Sequence, residues 1–465
     1  MPMTDSPPSR ATAAKVASAR WTCPFCPLLC DRLQVRPAAD GRSLELSGGN
    51  CARARAGLAQ FSAEPDAVTS TQPCVDGRAA TLSEAVSAAA ALLRTSRQPL
   101  FGGLGTDVAG ARALYRLACA AGAICDAADS AALMQSLRAL QDRGGFTTSL
   151  SEVQARADVI VFVGGLGLEQ APLLFDRLGF GLGNKQGPQR HVVAIGASPA
   201  EQQQLAALGQ RPGIRVESVP LHGDLFETVS LLCAALGQRV GDMPPQLAAL
   251  AARLRDARYS VFVGTPADFP AHGALLIETV HRIVGRLNTS TRAAALWLGG
   301  GNGSATVNQV FTWLSGLPLR SRAGPRGLEH EPLCFDAERL LADGAVDALL
   351  WVSAFDAASA PPPTTLPLIV LGHSNLAATC QRNGSVFIPV STPGIGSAGH
   401  LFRTDGVVML PLFAVRDDRL PGVADVVARI AQEIADPRAE RRAAPKPARI
   451  PSGDRLTYPA DEGLT

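Results

Sequence analysis

The sequence predicts an α/β protein built on doubly wound parallel sheets, with a small cysteine-rich subdomain ahead of them. Eight short, continuously apolar runs recur between residues 99 and 390. Most end at glycine or a turn, as strands buried on both faces do. Ala- and Leu-rich stretches of helical character lie between them, and that alternation marks crossover-connected sheets. Ahead of both, four cysteines fall within residues 23–51 at the spacing C-x2-C-x3-C-x20-C.

Residues 1–20 contain no apolar core segment, so they read as a flexible N-terminus, neither secretory signal nor anchor. Residues 21–75 form the cysteine-rich unit. Its "DRLQVRPAADGRSLELSGGN" stretch (Asp31–Asn50) reads as a polar hairpin with a glycine-rich return. The span 76–435 holds the α/β domains, two or three of them interleaved. Its expected strands are Pro99–Gly105, Val159–Gly165, His191–Gly196, Tyr259–Thr265, Ala294–Gly300, Ala348–Ala354, Pro367–Gly372 and Ser385–Val390. A helix is expected over Leu82–Ser96, because Thr81 followed by Glu84 is an N-terminal capping pattern. "GARALYRLACAAGA" and "DLFETVSLLCAALGQ" read the same way. Residues 436–465 are rich in proline and charge without periodicity, and read as a flexible tail.

A formal net charge of +2 gives no nucleic-acid footprint. No run of eighteen apolar residues exists, so no transmembrane helix is expected. A reducing, cytoplasmic setting follows, in which cysteines are thiols or ligands. The seven histidines show no H-x-x-x-H or H-E-x-x-H spacing, and no G-x-S-x-G elbow occurs. Zinc-hydrolase and serine-hydrolase chemistry therefore lack support.

Cys23, Cys26, Cys30 and Cys51 are the candidate metal ligands. Thiolates select zinc or iron–sulfur clusters. Structural zinc sites usually pair two C-x2-C units, whereas three close cysteines and one remote one suit a 4Fe-4S cluster better. Buried free thiols are the third alternative. Cys74, Cys119, Cys125, Cys233, Cys334 and Cys380 are scattered, most of them reading as core thiols. The turns "FVGGLG" and "LWLGGGNG" lie at the carboxyl ends of expected strands, where open α/β sheets bind ligands. Gly164, Gly165, Gly300 and Gly301 are therefore candidate cofactor-binding positions. Neither turn is a dinucleotide fingerprint or a P-loop.

Four stretches, in order, resemble the B-subunit family of formylmethanofuran dehydrogenase, within the molybdopterin oxidoreductases. They are "CPFCPLLCD", Ser149–Gly165, Val307–Gly327 and Pro389–Leu412, the last carrying "R-x-D-G-V". The resemblance implies a molybdopterin-oxidoreductase-like fold in which a cysteine, with a histidine just after it, serves the molybdenum or tungsten. In this chain those positions fall on Ala132 and Leu133. A methyl group binds no metal and an aliphatic side chain moves no proton. Cys125 lies seven residues too early to substitute. The family's "G-S-N-P" turn is "GGLG" here (Gly164–Gly167), and its arginine corresponds to Arg326 or Arg322.

These departures make the chain most similar to the B subunits of methylotroph formyltransferase/hydrolase complexes. Such complexes pass a formyl group from tetrahydromethanopterin to a methanofuran-type carrier and hydrolyse it to formate. The resemblance then implies no catalytic residue and no molybdopterin in this chain. It implies amidohydrolase-like A, C and formyltransferase D subunits as partners, and contact with the carrier. The basic stretch Pro318–Arg326 either faces that polyanionic carrier or forms a solvated loop. The alternative is an active molybdenum or tungsten dehydrogenase subunit, which the intact cysteines favour. A formate-dehydrogenase-like enzyme fits less well, for want of a ligand cysteine and a C-terminal barrel.

Overall fold

In a computed structural model, the described residues are 21–40, 43–61, 72–128, 130–181, 189–237, 241 and 243–436. The flexible segments expected at 1–20 and 436–465 lie, Asp436 aside, outside them.

The cysteine loop closes on itself: the Cys23 amide donates to the Cys30 carbonyl at 2.9 Å and the Leu29 amide to that of Cys26 at 3.2 Å. The expected hairpin follows as antiparallel strands β1 (Gln34–Pro37) and β2 (Leu44–Gly48). Cys51 then stands at the N-cap of the Ala52–Ala59 helix.

Among the described residues, sixteen further strands follow in chain order. They are β3 (Cys74–Val75), β4 (Arg78–Ala79), β5 (Pro99–Gly105), β6 (Ile124–Cys125), β7 (Val159–Val163), β8 (Arg190–Ile195), β9 (Ile214–Val219) and β10 (Tyr259–Gly264). Then come β11 (Arg292–Trp297), β12 (Ser321–Gly324), β13 (Gly327–His330), β14 (Ala348–Ser353), β15 (Leu368–Gly372), β16 (Ser385–Pro389), β17 (Gly399–Phe402) and β18 (Met409–Leu412).

Two sheets dominate. The smaller has five parallel strands in the order β11-β10-β7-β8-β9. The larger has nine, in the order β13-β12-β6-β5-β14-β15-β16-β3-β4. Its five central strands, β6 to β16, are parallel, and antiparallel pairs close both edges. The chain starts the larger sheet, leaves it to build the smaller one, and returns. Each of the eight apolar runs is a parallel strand. β5, β7, β10, β14, β15 and β16 are buried along their whole length, which is why they carry no alternation. β9, at an edge, is mostly half-buried or exposed, with Val219 alone buried.

Side chains on the two faces of the smaller sheet enter different cores, as the pleat requires. Ile160 and Phe162 enter the core that also holds the four cysteines, while Val159, Val161 and Val163 enter the core with the helices of the opposite side. The Leu82–Thr95 helix starts as expected: Thr81 caps the Glu84 amide and the Glu84 carboxylate accepts from the Thr81 amide at 2.8 Å. A late helix, Val423–Ala435, buries Val423, Val426, Val427 and Ile430 against the Leu82–Thr95 and Val108–Ala121 helices. The Ser130–Arg143 helix joins the two cores, with Met134 in that of the larger sheet and Ala139 in that of the smaller. Among the described residues no helix is long and apolar enough to cross a membrane.

Candidate functional site

A cavity of about 620 Å³ opens at the carboxyl ends of the parallel strands, where open α/β sheets place ligands. The segment after β6 supplies Ala128, Ala132 and Leu133, and the segment after β10 supplies Thr265 and Pro266. The end of β11 and the turn beyond it contribute Trp297 to Asn302. Arg403, Thr404 and Gly406 enter from the turn between β17 and β18, and Pro27 and Arg53 from the N-terminal segment.

Local chemistry fixes each wall. Thr404 Oγ1 donates to the Trp297 carbonyl at 3.0 Å and accepts from the Gly299 amide at 3.2 Å, stitching the β17–β18 turn to the end of β11. Gly300 has φ +76, and a Cβ there would lie 2.2 Å from that of Ala305, so only glycine makes this turn. Arg403 sends Nε and Nη2 to Asp405 Oδ2 at 3.0 and 2.5 Å. The same oxygen accepts from the Leu150 amide at 3.1 Å.

The helix that bears Ala132 and Leu133 is pinned at its start by Arg320. Arg320 Nη2 donates to Ser130 Oγ at 2.8 Å, Nε lies 3.4 Å from Asp126, and Nη2 also pairs with Asp336. Burial pushes the Asp126 carboxyl up to about 6, with Arg320 pulling the other way. Within Pro318–Arg326, Arg320 and Arg322 turn inward to ion pairs, while the far end of the stretch is an exposed turn. Arg320 is consumed by the internal ion pairs, and Arg322 lies 2.7 Å from Glu329. Arg326 stands 90% exposed on the turn between β12 and β13 and is not on the cavity wall.

The four cysteines are buried in one cluster. All four thiols are free, and a hydrogen bond between the Cys30 and Cys26 thiols holds Cys26 down at about 7 and raises Cys30. Burial, with Cys26 beside it, raises Cys23. Phe25, between the first two cysteines, packs on Trp21 and Phe61 and covers Gly57. Among the described residues no three His, Cys, Asp or Glu side chains are gathered for a single metal ion. An iron–sulfur cluster spreads its thiolates over separate irons, and an all-cysteine donor set suits that group.

Cys26, Pro27, Gly300 and Gly301 line one crevice, so the cysteine loop abuts the cavity through the glycine turn. Of the positions singled out in the sequence, Gly300, Gly301, Ala132 and Leu133 are thus brought together. Gly164 and Gly165 follow β7 but do not line the cavity. Gly165 faces Glu201, whose carboxylate accepts from the Leu166 amide at 2.6 Å. Cys125 is buried in β6, away from the cavity wall. Sequence reasoning missed Arg53, Trp297 and Arg403. Arg403 had a signal, the "R-x-D-G-V" block, Trp297 lay within the "LWLGGGNG" turn, and Arg53 had none.

Fold and site together define a mixed α/β protein whose parallel sheets open one cavity beside a four-cysteine loop. No model of a protein family matches the chain. The B subunit of the formyltransferase/hydrolase complex Fhc of Methylorubrum extorquens is 30% identical over 375 residues, 79% of this chain and 98% of that protein. The B subunit of a tungsten-containing formylmethanofuran dehydrogenase 2 of Methanocaldococcus jannaschii is 27% identical over 418 residues, 83% of this chain and 91% of the relative. The crystal structure of the M. extorquens FhcABCD complex with methylofuran contains a chain that superposes with a TM-score of 0.66 at 30% identity. That match covers 78% of this chain and 98% of its counterpart. The chain belongs to the family of the B subunits of formyltransferase/hydrolase complexes.

Proposed function

We propose that this chain is the B subunit of a cytoplasmic formyltransferase/hydrolase complex that converts formyl-tetrahydromethanopterin to formate through a methanofuran-type carrier. It acts there without a redox step of its own. Its partners are amidohydrolase-like A, C and formyltransferase D subunits, and the relative crystallised as FhcABCD with methylofuran supports this. The observation that carries the non-redox reading is Ala132 and Leu133 on the cavity wall. Where the family resemblance implies a cysteine and a histidine beside a metal, this wall offers hydrocarbon. The fold descends from a molybdopterin-oxidoreductase-like ancestor, with a cysteine-rich subdomain over 21–75 and interleaved α/β domains over 76–435.

Cys23, Cys26, Cys30 and Cys51 would hold a 4Fe-4S cluster. Held by these residues, a cluster would tether the loop to the start of the Ala52–Ala59 helix, and the chemistry it would supply is electron transfer. Four intact cysteines also favour a second reading, an active molybdenum or tungsten dehydrogenase subunit. Anaerobic purification with partners, followed by metal analysis, separates the two. About four irons per chain without molybdenum or tungsten supports the first. Stoichiometric tungsten or molybdenum with a bound pterin overturns it. Failure of A, C and D subunits to co-purify would remove the complex assignment.

A further inference from the structure

The Val108–Ala121 helix packs against both the Ser304–Ser315 helix and the late Val423–Ala435 helix. Where it meets Ser304–Ser315 and the β12–β13 hairpin, Tyr115, Cys119, Ser315, Leu317 and Leu328 line a shallow surface crevice. Tyr115 stands edge-on to buried Phe311, with ring centroids 5.2 Å apart. Leu328 is 48% exposed on the hairpin, and Leu314, beside Ser315, is 41% exposed. Among the described residues no aspartate or glutamate lines this crevice. Arg112 and Arg116 are exposed on the helix that carries Tyr115 and Cys119. Arg112 precedes Tyr115 by three residues and Arg116 precedes Cys119 by three, so the four share one helix face. An apolar slot beside two guanidinium groups suits a segment in which an aromatic residue is followed by carboxylates. The sequence contains such a segment beyond the Val423–Ala435 helix. The run 456–462, "LTYPADE", places Tyr458 three residues ahead of Asp461 and four ahead of Glu462. Fully extended, the chain from Asp436 to Tyr458 spans up to about 70 Å, whereas packed helices lie only about 10 Å apart. The run therefore has ample length to reach a crevice on the helix against which Val423–Ala435 packs.

We propose that the run 456–462 of this same chain docks on the crevice, with Tyr458 against Tyr115, Leu317 and Leu328 and the carboxylates of Asp461 and Glu462 on Arg112 and Arg116. Cys119, half-buried in the crevice wall, reports on the docking. Its rate of labelling by a small maleimide in the native full-length protein is read by mass mapping. Tyr458→Ser should raise that rate about tenfold. Asp461→Asn combined with Glu462→Gln should do the same, as should Arg112→Gln combined with Arg116→Gln. Added salt should raise the rate in the wild type. Cys334, exposed outside the crevice, should label at one rate throughout. Cys119 rates that do not change in the 458 and 461–462 variants overturn the proposal. A cross-link then names the occupant. In Tyr458→Cys, a short bis-maleimide should join the introduced thiol to Cys119 in a product with the mass of one chain. A product with the mass of two chains places a second copy in the crevice, and a link from Cys119 to a different subunit places a partner there. Either result overturns docking of the chain on itself, as does the absence of any link to Cys119.

Discussion

Arg403 Nη2 lies 2.5 Å from Asp405 Oδ2, with 5% and 0% of the two side chains exposed. Two residues apart in one turn, they form a buried ion pair whose carboxylate also holds the Leu150 amide. The pair thereby ties the β17–β18 hairpin to the helix that leads into β7. Removing one member strands the other charge in a dry site, the costly case for buried pairs. Asp405→Ala is expected to destabilise the protein by about 3–5 kcal/mol. Denaturant unfolding checks it, and a loss under about 1 kcal/mol would show that the site hydrates freely.

Asp126 supplies a pH dependence. Its carboxyl is raised from 3.8 to about 6, mainly by burial. A raised carboxyl binds its proton more tightly folded than unfolded, so its contribution is fully present below about 4 and is lost as pH rises through about 6. Asp126→Asn should remove about 3 kcal/mol of pH dependence across that window. The difference between wild-type and variant stabilities at pH 4 and pH 7 measures it. A difference that does not change with pH would place the folded and unfolded carboxyls at the same value.

Ala132 faces the cavity and Cys125 does not. Ala132→Cys should therefore react with a small maleimide in the native protein at a rate approaching that of a free thiol. Cys125 should stay unmodified until unfolding. Mass mapping of the labelled peptides tells the two apart, and protection of the introduced thiol would show that position 132 is off the wall.

Gly57 touches the ring of Phe25, and a Cβ there would lie 2.2 Å from it. Phe25 sits between Cys23 and Cys26, so the ring has little room to yield. Gly57→Ala should cost about 1–3 kcal/mol by overpacking and should loosen the cysteine loop. Unfolding measurements and faster thiol titration of the variant would report both effects. An unchanged thiol rate would uncouple the ring from the loop.

The parallel strands were legible because burial on both faces leaves an unbroken apolar signature, as in "VIVFV" of β7. The capped start of the Leu82–Thr95 helix was legible because a capping box is local chemistry. The short pairs β12–β13 and β17–β18 carry four residues a strand, too few for a period to show. The Val423–Ala435 helix had the amphipathic spacing in Val423, Val426, Val427 and Ile430 but stood directly before the stretch that read as tail. In the site, Ala132 and Gly300 were found by position relative to motifs. Arg53 and Arg403 are 350 residues apart, and nothing local announces that they share a wall. Arg320 looked like surface charge until its partners Asp126 and Asp336 were placed, because ion pairing across the fold leaves no mark in sequence.

The Ser130–Arg143 helix has Met134 anchored in one core and Ala139 in the other. The two sheets cannot swing apart like jaws without dragging one of these side chains into water. Access to the cavity therefore depends on its rim, where Arg53 stands exposed, and not on a hinge between the sheets.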